Sequence, residues 1–112
     1  MKIYHNSHCS KSRGCLALLT EKNAKVEIID YLKNPPSITE IKDILRKLNI
    51  PAMELVRKNE PLWKENKKEN MTEEEIIELL HNFPKLIERP IVIDGDKAII
   101  ARPPERILEW LQ

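Results

Sequence analysis

Apolar and polar positions change period several times along this chain. Lys2-Ile3-Tyr4-His5 is short and rich in strand formers, and turn-prone Asn6-Ser7 follows it. From Ser10 to Lys22 the pattern turns helical, with Cys15, Leu16, Leu18 and Leu19 supplying the apolar side. Lys25-Val26-Glu27-Ile28-Ile29-Asp30 then alternates as a strand buried on at least one face does. Strand, helix and strand within about thirty residues predict a βαβ unit, with two parallel strands and a right-handed crossover.

Asn34-Pro35-Pro36 breaks the pattern. Ser37 and Glu40 follow at capping-box spacing, where each side chain can satisfy a backbone N–H left open at a helix start. Ile38, Ile41, Ile44, Leu45 and Leu48 make one stripe at helical period, and Asn49 and Pro51 stop it. Ala52–Arg57 and Pro61–Lys67 read as two short helices, and Lys67-Lys68-Glu69-Asn70 as a solvated connection. Thr72 and Glu75 form a second capping box, opening a helix through Ile76, Ile77, Leu79 and Leu80 to the stop at Asn82-Phe83-Pro84.

The tail returns to strand. Pro90-Ile91-Val92-Ile93, Asp94-Gly95-Asp96 and Ala98-Ile99-Ile100-Ala101 predict an antiparallel hairpin, because Asp-Gly suits turns with positive φ. Pro103-Pro104 precedes a last helix, Glu105–Leu111, with Pro104 at its first position. The order is β-α-β, a helical block, then β-β-α. That is the order of an α/β, thioredoxin-like fold: a mixed four-stranded sheet in a single domain, with a helical insertion at about residues 37–83.

Composition narrows the function. The 112 residues carry 19 Lys and Arg against 18 Asp and Glu, so the basic excess a nucleic-acid or membrane-surface protein needs is missing. No apolar run approaches the ~20 residues of a membrane span. Met1 leads into Lys2-Ile3-Tyr4-His5 rather than a signal peptide's apolar stretch, so a cytoplasmic location is expected. Two cysteines are too few for a disulfide scaffold, and two glycines rule out a glycine-rich phosphate loop.

Cys9 falls where the first strand joins the first helix. A thiol there faces unpaired N–H groups and the positive helix end, which favour the thiolate. Arg13 lies four residues on, on the same helical face, and His5 and His8 lie just upstream. The alternative for such a residue is a half-buried packing role, but the cationic neighbours point to a nucleophile. Cys9-Ser10-Lys11-Ser12 is C-x-x-S, so no local disulfide can close. Three residues lie between Cys9 and Arg13, where the phosphatase loop that wraps an oxyanion needs five. Cys15 lies about 240° further round the helix and is expected in the core beside Leu18 and Leu19. Three arginines hold awkward places: Arg57 at a helix end, and Arg89 and Arg102 each directly before a proline. Arginine forks suit tetrahedral oxyanions, and solvated surface charge is the other reading for each.

Together these residues resemble the glutaredoxin-coupled arsenate reductases of the ArsC family. The matching segments are Ile3-Tyr4-His5-Asn6 with Cys9-Ser10-Lys11-Ser12-Arg13, Leu55-Val56-Arg57-Lys58, Pro84–Val92, and Arg102-Pro103-Pro104-Glu105. Two positions depart from the family's usual His-Asn-Pro-x-Cys: Ser7 replaces the proline, and His8 immediately precedes the cysteine.

The resemblance implies arsenate reduction by one essential thiol. The thiolate attacks arsenate, glutathione attacks the covalent adduct, and glutaredoxin resolves the mixed disulfide as arsenite leaves. It makes Cys9 the nucleophile, gives Arg57, Arg89 and Arg102 the oxyanion, and matches His5 and Ser12 to positions that support the thiolate. It also implies a monomer with no metal and no tightly bound cofactor, glutathione as co-substrate, and glutaredoxin as a transient partner. Nucleic acid and membrane are not expected as partners. Two other readings are a thiol-transfer enzyme acting on glutathione mixed disulfides, and an Spx-type regulator that binds RNA polymerase. Ser12, in place of that regulator's second cysteine, counts against the last.

Overall fold

A computed structural model of the chain describes residues 1–111. It divides into two compact units: Met1–Asn34 with the chain from Arg89 onward, and Pro35–Glu88 between them in sequence.

The first unit is a mixed four-stranded sheet with two helices. Its strands are β1 (Lys2–His5), β2 (Glu27–Asp30), β3 (Ile91–Asp94) and β4 (Lys97–Ile100), in the order β2-β1-β3-β4. Helix α1 (Ser10–Glu21) is the crossover that makes β1 and β2 parallel. β3 runs antiparallel to both β1 and β4. Asp94 pairs with Lys97 across a two-residue turn, and Gly95 takes φ +61° at its first position, as a type II′ turn requires. This is the thioredoxin-like arrangement. Ile3, Cys15, Leu19, Val92, Ala101 and Ile107, all fully buried, form its core. Removing an aliphatic side chain the size of Ile3, Leu19, Val92 or Ile107 from water stabilises a fold by about 1.5–3 kcal/mol.

Two elements of this unit differ from the sequence expectation. β2 is shorter than Lys25–Asp30 and is an edge strand, so Ile28 stays 53% exposed. The last helix, α5, spans only Arg106–Trp110, because the chain after Pro103 first passes through a turn.

The second unit is helical. α2 (Ile38–Leu48) and α4 (Glu73–Asn82) each begin in a complete capping box, Ser37 with Glu40 and Thr72 with Glu75. Asn49 ends α2 at φ 56°, in the left-handed region that asparagine tolerates. α3 (Pro61–Asn66) starts on its proline. The helix expected over Ala52–Arg57 is instead a 3-10 turn, Ala52–Leu55. Tertiary pairing overrides it: Val56 is extended in a β-bridge with Ile87, Arg57 N–H donates to the Leu86 carbonyl at 2.7 Å, and Glu88 N–H donates to that of Leu55 at 2.8 Å. A second 3-10 turn, Pro84–Leu86, leads into this pairing. Among the described residues no helix is long and apolar enough to cross a membrane.

Candidate active site

β1 ends at His5, and four residues later α1 begins with Cys9 as its N-cap, in extended conformation. The intervening loop is held by its own polar groups. Cys9 N–H donates to the Asn6 carbonyl at 3.0 Å, and His8 N–H donates to Asn6 Oδ1 at 2.9 Å. Asn6 N–H donates to Ser12 Oγ at 3.0 Å, tying the loop to the first turn of the helix. Asn6 is buried and central to this network.

Cys9 is partly exposed. Burial opposes its thiolate, but the backbone N–H groups of Ser12 and Lys11 and the Arg89 side chain outweigh it, so the thiol sits below its ordinary range. The sulfur makes no capping bond of ordinary geometry, so the helix start acts on it as a field of N–H dipoles.

His5 and Ser12 are both buried and meet at 2.7 Å, Nδ1 to Oγ. Desolvation holds the His5 pKa below its usual value; Asp30 opposes this, and Arg13 adds to it. The ring is therefore neutral near pH 7. Ser12 Oγ accepts from Asn6 N–H and is in hydrogen-bond contact with Nδ1, so it joins the loop, the ring and the first turn of the helix. His5 reaches Cys9 through Ser12. Arg13 turns its guanidinium to the Ser7 carbonyl at 2.9 Å, so its charge is spent on the loop and on His5.

Sheet register brings two of the three arginines to the thiol. Tyr4 pairs with Ile91 and Ile91 with Ile100, so the residues before β3 and after β4 lie at the β1 end that leads to Cys9. Those residues are Arg89 and Arg102, and each precedes a cis proline. Arg102 Nη1 lies 3.8 Å from Cys9 Sγ and donates to the Arg89 carbonyl at 3.0 Å. Arg57 belongs to the helical unit, where its Nε is 3.6 Å from Glu88 Oε1.

Sequence reasoning missed Asn6 as an organiser, and Tyr31. Tyr31 directly follows β2, past the carboxyl end of a parallel strand, where α/β sheets build their sites. It is 1% exposed, and burial pushes its phenol up to about 12, with the charges of Arg89 and Cys9 also acting on it. That position relative to the strand end is the signal that could have found it. Cys15 is fully buried in the core and pushed up to about 11 by burial alone, so it takes the packing role its helical position predicts. Among the described residues no group of His, Cys, Asp and Glu is gathered that could hold a metal ion.

A thiolate at a helix start, beside two arginines from separate segments, can attack an electrophile carried on an anion. Known proteins resemble the chain in sequence and fold. The chain is 44% identical over 112 residues to the uncharacterized protein YfgD of Escherichia coli, covering 97% of this chain and 94% of that protein. It is 44% identical to an arsenate reductase of Haemophilus influenzae, covering 97% of each. The solved arsenate reductase of Vibrio cholerae superposes with a TM-score of 0.93 at 38% identity, over 97% of each chain. The ArsC family model matches residues 4–110, and the chain belongs to the ArsC family.

Proposed function

We propose that this protein is an arsenate reductase whose nucleophile is Cys9, with glutathione and glutaredoxin as its reductants. The observation that carries this reading is the arginine pair at the thiol, with Arg102 Nη1 3.8 Å from Sγ and Arg89 helping to keep the sulfur ionised. A thiolate repels arsenate unless cations neutralise the approach, and preorganised arginines do so without rearrangement during reaction. His5 and Ser12 hold the loop and the first turn, so that the N–H groups of Lys11 and Ser12 stay aimed at the sulfur. Arg13 anchors the same loop through Ser7. The family resemblance adds Arg57 as a third oxyanion-binding residue.

The chemistry balances with two external thiols. Cys9 thiolate forms an S–As bond and a protonated oxygen leaves as water, with arsenic still in the +5 state. Glutathione thiolate displaces a second oxygen. Glutaredoxin thiolate then attacks the glutathione sulfur, and the electron pair of that S–As bond passes to arsenic, which becomes +3. A glutaredoxin–glutathione disulfide is formed. Water displaces Cys9 from arsenic, releasing arsenite and the thiol. The protein acts as a monomer in the cytoplasm, and needs no metal or resident cofactor for these steps.

The test is oxidation of reduced nicotinamide in an assay of glutathione, glutaredoxin, glutathione reductase and arsenate. Arsenate-dependent turnover that vanishes in Cys9→Ser is expected. Turnover with a glutathione mixed disulfide but none with arsenate would replace this reading with thiol transfer. Neither activity, with RNA polymerase retained on the protein, would replace it with a regulator.

A further inference from the structure

Among the described residues three buried polar side-chain atoms lack a hydrogen-bond partner: Tyr31 Oη, Arg89 Nε and Arg57 Nη1. The first two belong to residues at the β1 end that leads to Cys9, because Asp30, before Tyr31, pairs with His5, and Ile91, after Arg89 and Pro90, pairs with Tyr4. Orphaned buried donors and acceptors are costly and rare, so two in one cluster call for an explanation. Their chemistries are complementary. Arg89 Nε–H can only donate, whereas a tyrosine hydroxyl also accepts. The ring of Tyr31 is locked, being 1% exposed, and its hydroxyl is closed to solvent. The Asn6 amide beside it makes no aligned bond to the hydroxyl. Arg89 is the longer partner, a half-buried side chain with several rotatable bonds.

We propose that Tyr31 is the positioning residue of Arg89: when an oxyanion engages the Arg89 guanidinium, Nε–H settles on Tyr31 Oη and fixes the fork beside Cys9. The proposal rests on the reading of this cluster as an oxyanion site. Tyr31 does not touch the oxyanion. Its phenol stays protonated throughout, and accepting from a cation leaves its own O–H free to donate within the cluster. Aligning the fork in this way selects a bidentate tetrahedral anion over a point charge.

The test is protection of Cys9 from iodoacetamide by arsenate, in four proteins: unmodified, Tyr31→Phe, Arg89→Lys, and the double variant. Lysine keeps the charge of Arg89 and removes Nε–H. Tyr31→Phe is expected to need about tenfold more arsenate, the scale of one hydrogen bond to a charged group. The double variant is expected to be no weaker than Arg89→Lys, because the two substitutions remove the same bond. The alkylation rate without arsenate and the melting temperature of Tyr31→Phe should stay at or above the unmodified values. A purely structural tyrosine would lower the melting temperature and leave arsenate protection unchanged.

Equal protection in Tyr31→Phe and the unmodified protein overturns the inference while leaving the oxyanion site standing. No protection in the unmodified protein overturns the oxyanion site, and this inference with it. If Tyr31→Phe does not fold, the Arg89 Nε–H resonance of the unmodified protein decides. Arsenate should slow its hydrogen exchange, and unchanged exchange at saturating arsenate overturns the proposal.

Discussion

Arg102 reaches across 93 positions of sequence to place Nη1 3.8 Å from Cys9 Sγ, while the same nitrogen donates to the Arg89 carbonyl at 3.0 Å. One guanidinium therefore faces the Cys9 sulfur and braces the backbone of the second arginine. Arg102→Ala should lose both functions, lowering kcat/KM for arsenate by about 100-fold, as removal of one preorganised charge-stabilising donor does elsewhere. Arg106 is the control, because it is exposed and its Nη1 donates to the Ile100 carbonyl at 3.3 Å. Equal losses in Arg102→Ala and Arg106→Ala would mean that the contact to sulfur has no kinetic role.

The two cysteines should differ sharply in reactivity. Cys9 is partly exposed and held below its ordinary range, whereas Cys15 is buried and pushed up to about 11. Iodoacetamide should label Cys9 first in the native protein, with a pH midpoint below that of a free thiol, and label Cys15 only on unfolding. Cys15→Ala should keep reductase turnover and cost about 1 kcal/mol of stability, the scale of a small core truncation. Six residues of helical rise put the Cα atoms of Cys9 and Cys15 ~9 Å apart along the axis. A disulfide needs Cα atoms roughly 4.4–6.8 Å apart. Mass spectrometry after one arsenate turnover without glutathione checks this, and a Cys9–Cys15 disulfide as the main product would refute external resolution.

Local chemistry made much of this fold legible. Both capping boxes, the Asn49 stop and the Gly95 turn depend on contacts a few residues apart, and all four form as their spacing predicts. Where partners are distant, the local pattern misled. Val56 leaves a helical register because Ile87 pairs with it, and Ile28 stays exposed because β2 has a neighbour on one side only. The site divides in the same way. Cys9 was readable from its strand–helix junction. Arg89 and Arg102 could be named for their prolines, but their approach to sulfur follows from pairing of β1, β3 and β4. Tyr31 carried no motif, and its importance arises from burial that only the assembled sheet creates.

His5 links the site to pH. Its pKa is held below the usual 6.5 chiefly by desolvation, so the unfolded chain takes up a proton at a higher pH than the folded one does. The stability this contributes is therefore complete above pH 6.5 and is lost as pH falls through the lower folded value. Thermal unfolding of the unmodified protein and His5→Gln, compared from pH 8 to pH 5, measures it. The melting temperature of the unmodified protein should fall more steeply below about pH 6.5. Parallel curves for the two proteins would show that His5 titrates alike in both states.

The last prediction concerns Gly14, which tests how tightly Arg102 is tied to α1. Glycine inside a helix costs about 1 kcal/mol relative to alanine, so Gly14→Ala should strengthen α1 on propensity alone. A Cβ at Gly14, however, would lie 3.3 Å from Pro104 Cγ, closer than comfortable contact. The ring of Pro104 is stiff and buried, so the segment carrying it must give way by a few tenths of an ångström. Arg102 stands two residues earlier on that segment, with its guanidinium on the Cys9 sulfur. The two effects on stability oppose one another, leaving the melting temperature within a few degrees of the unmodified protein. Catalysis has no such compensation. The kcat/KM for arsenate should fall several-fold, and Cys9 alkylation should slow as the cation moves away from the thiolate. A higher melting temperature with unchanged kcat/KM would show that Pro104 yields without carrying Arg102, and that the close approach of α1 does not position the arginine.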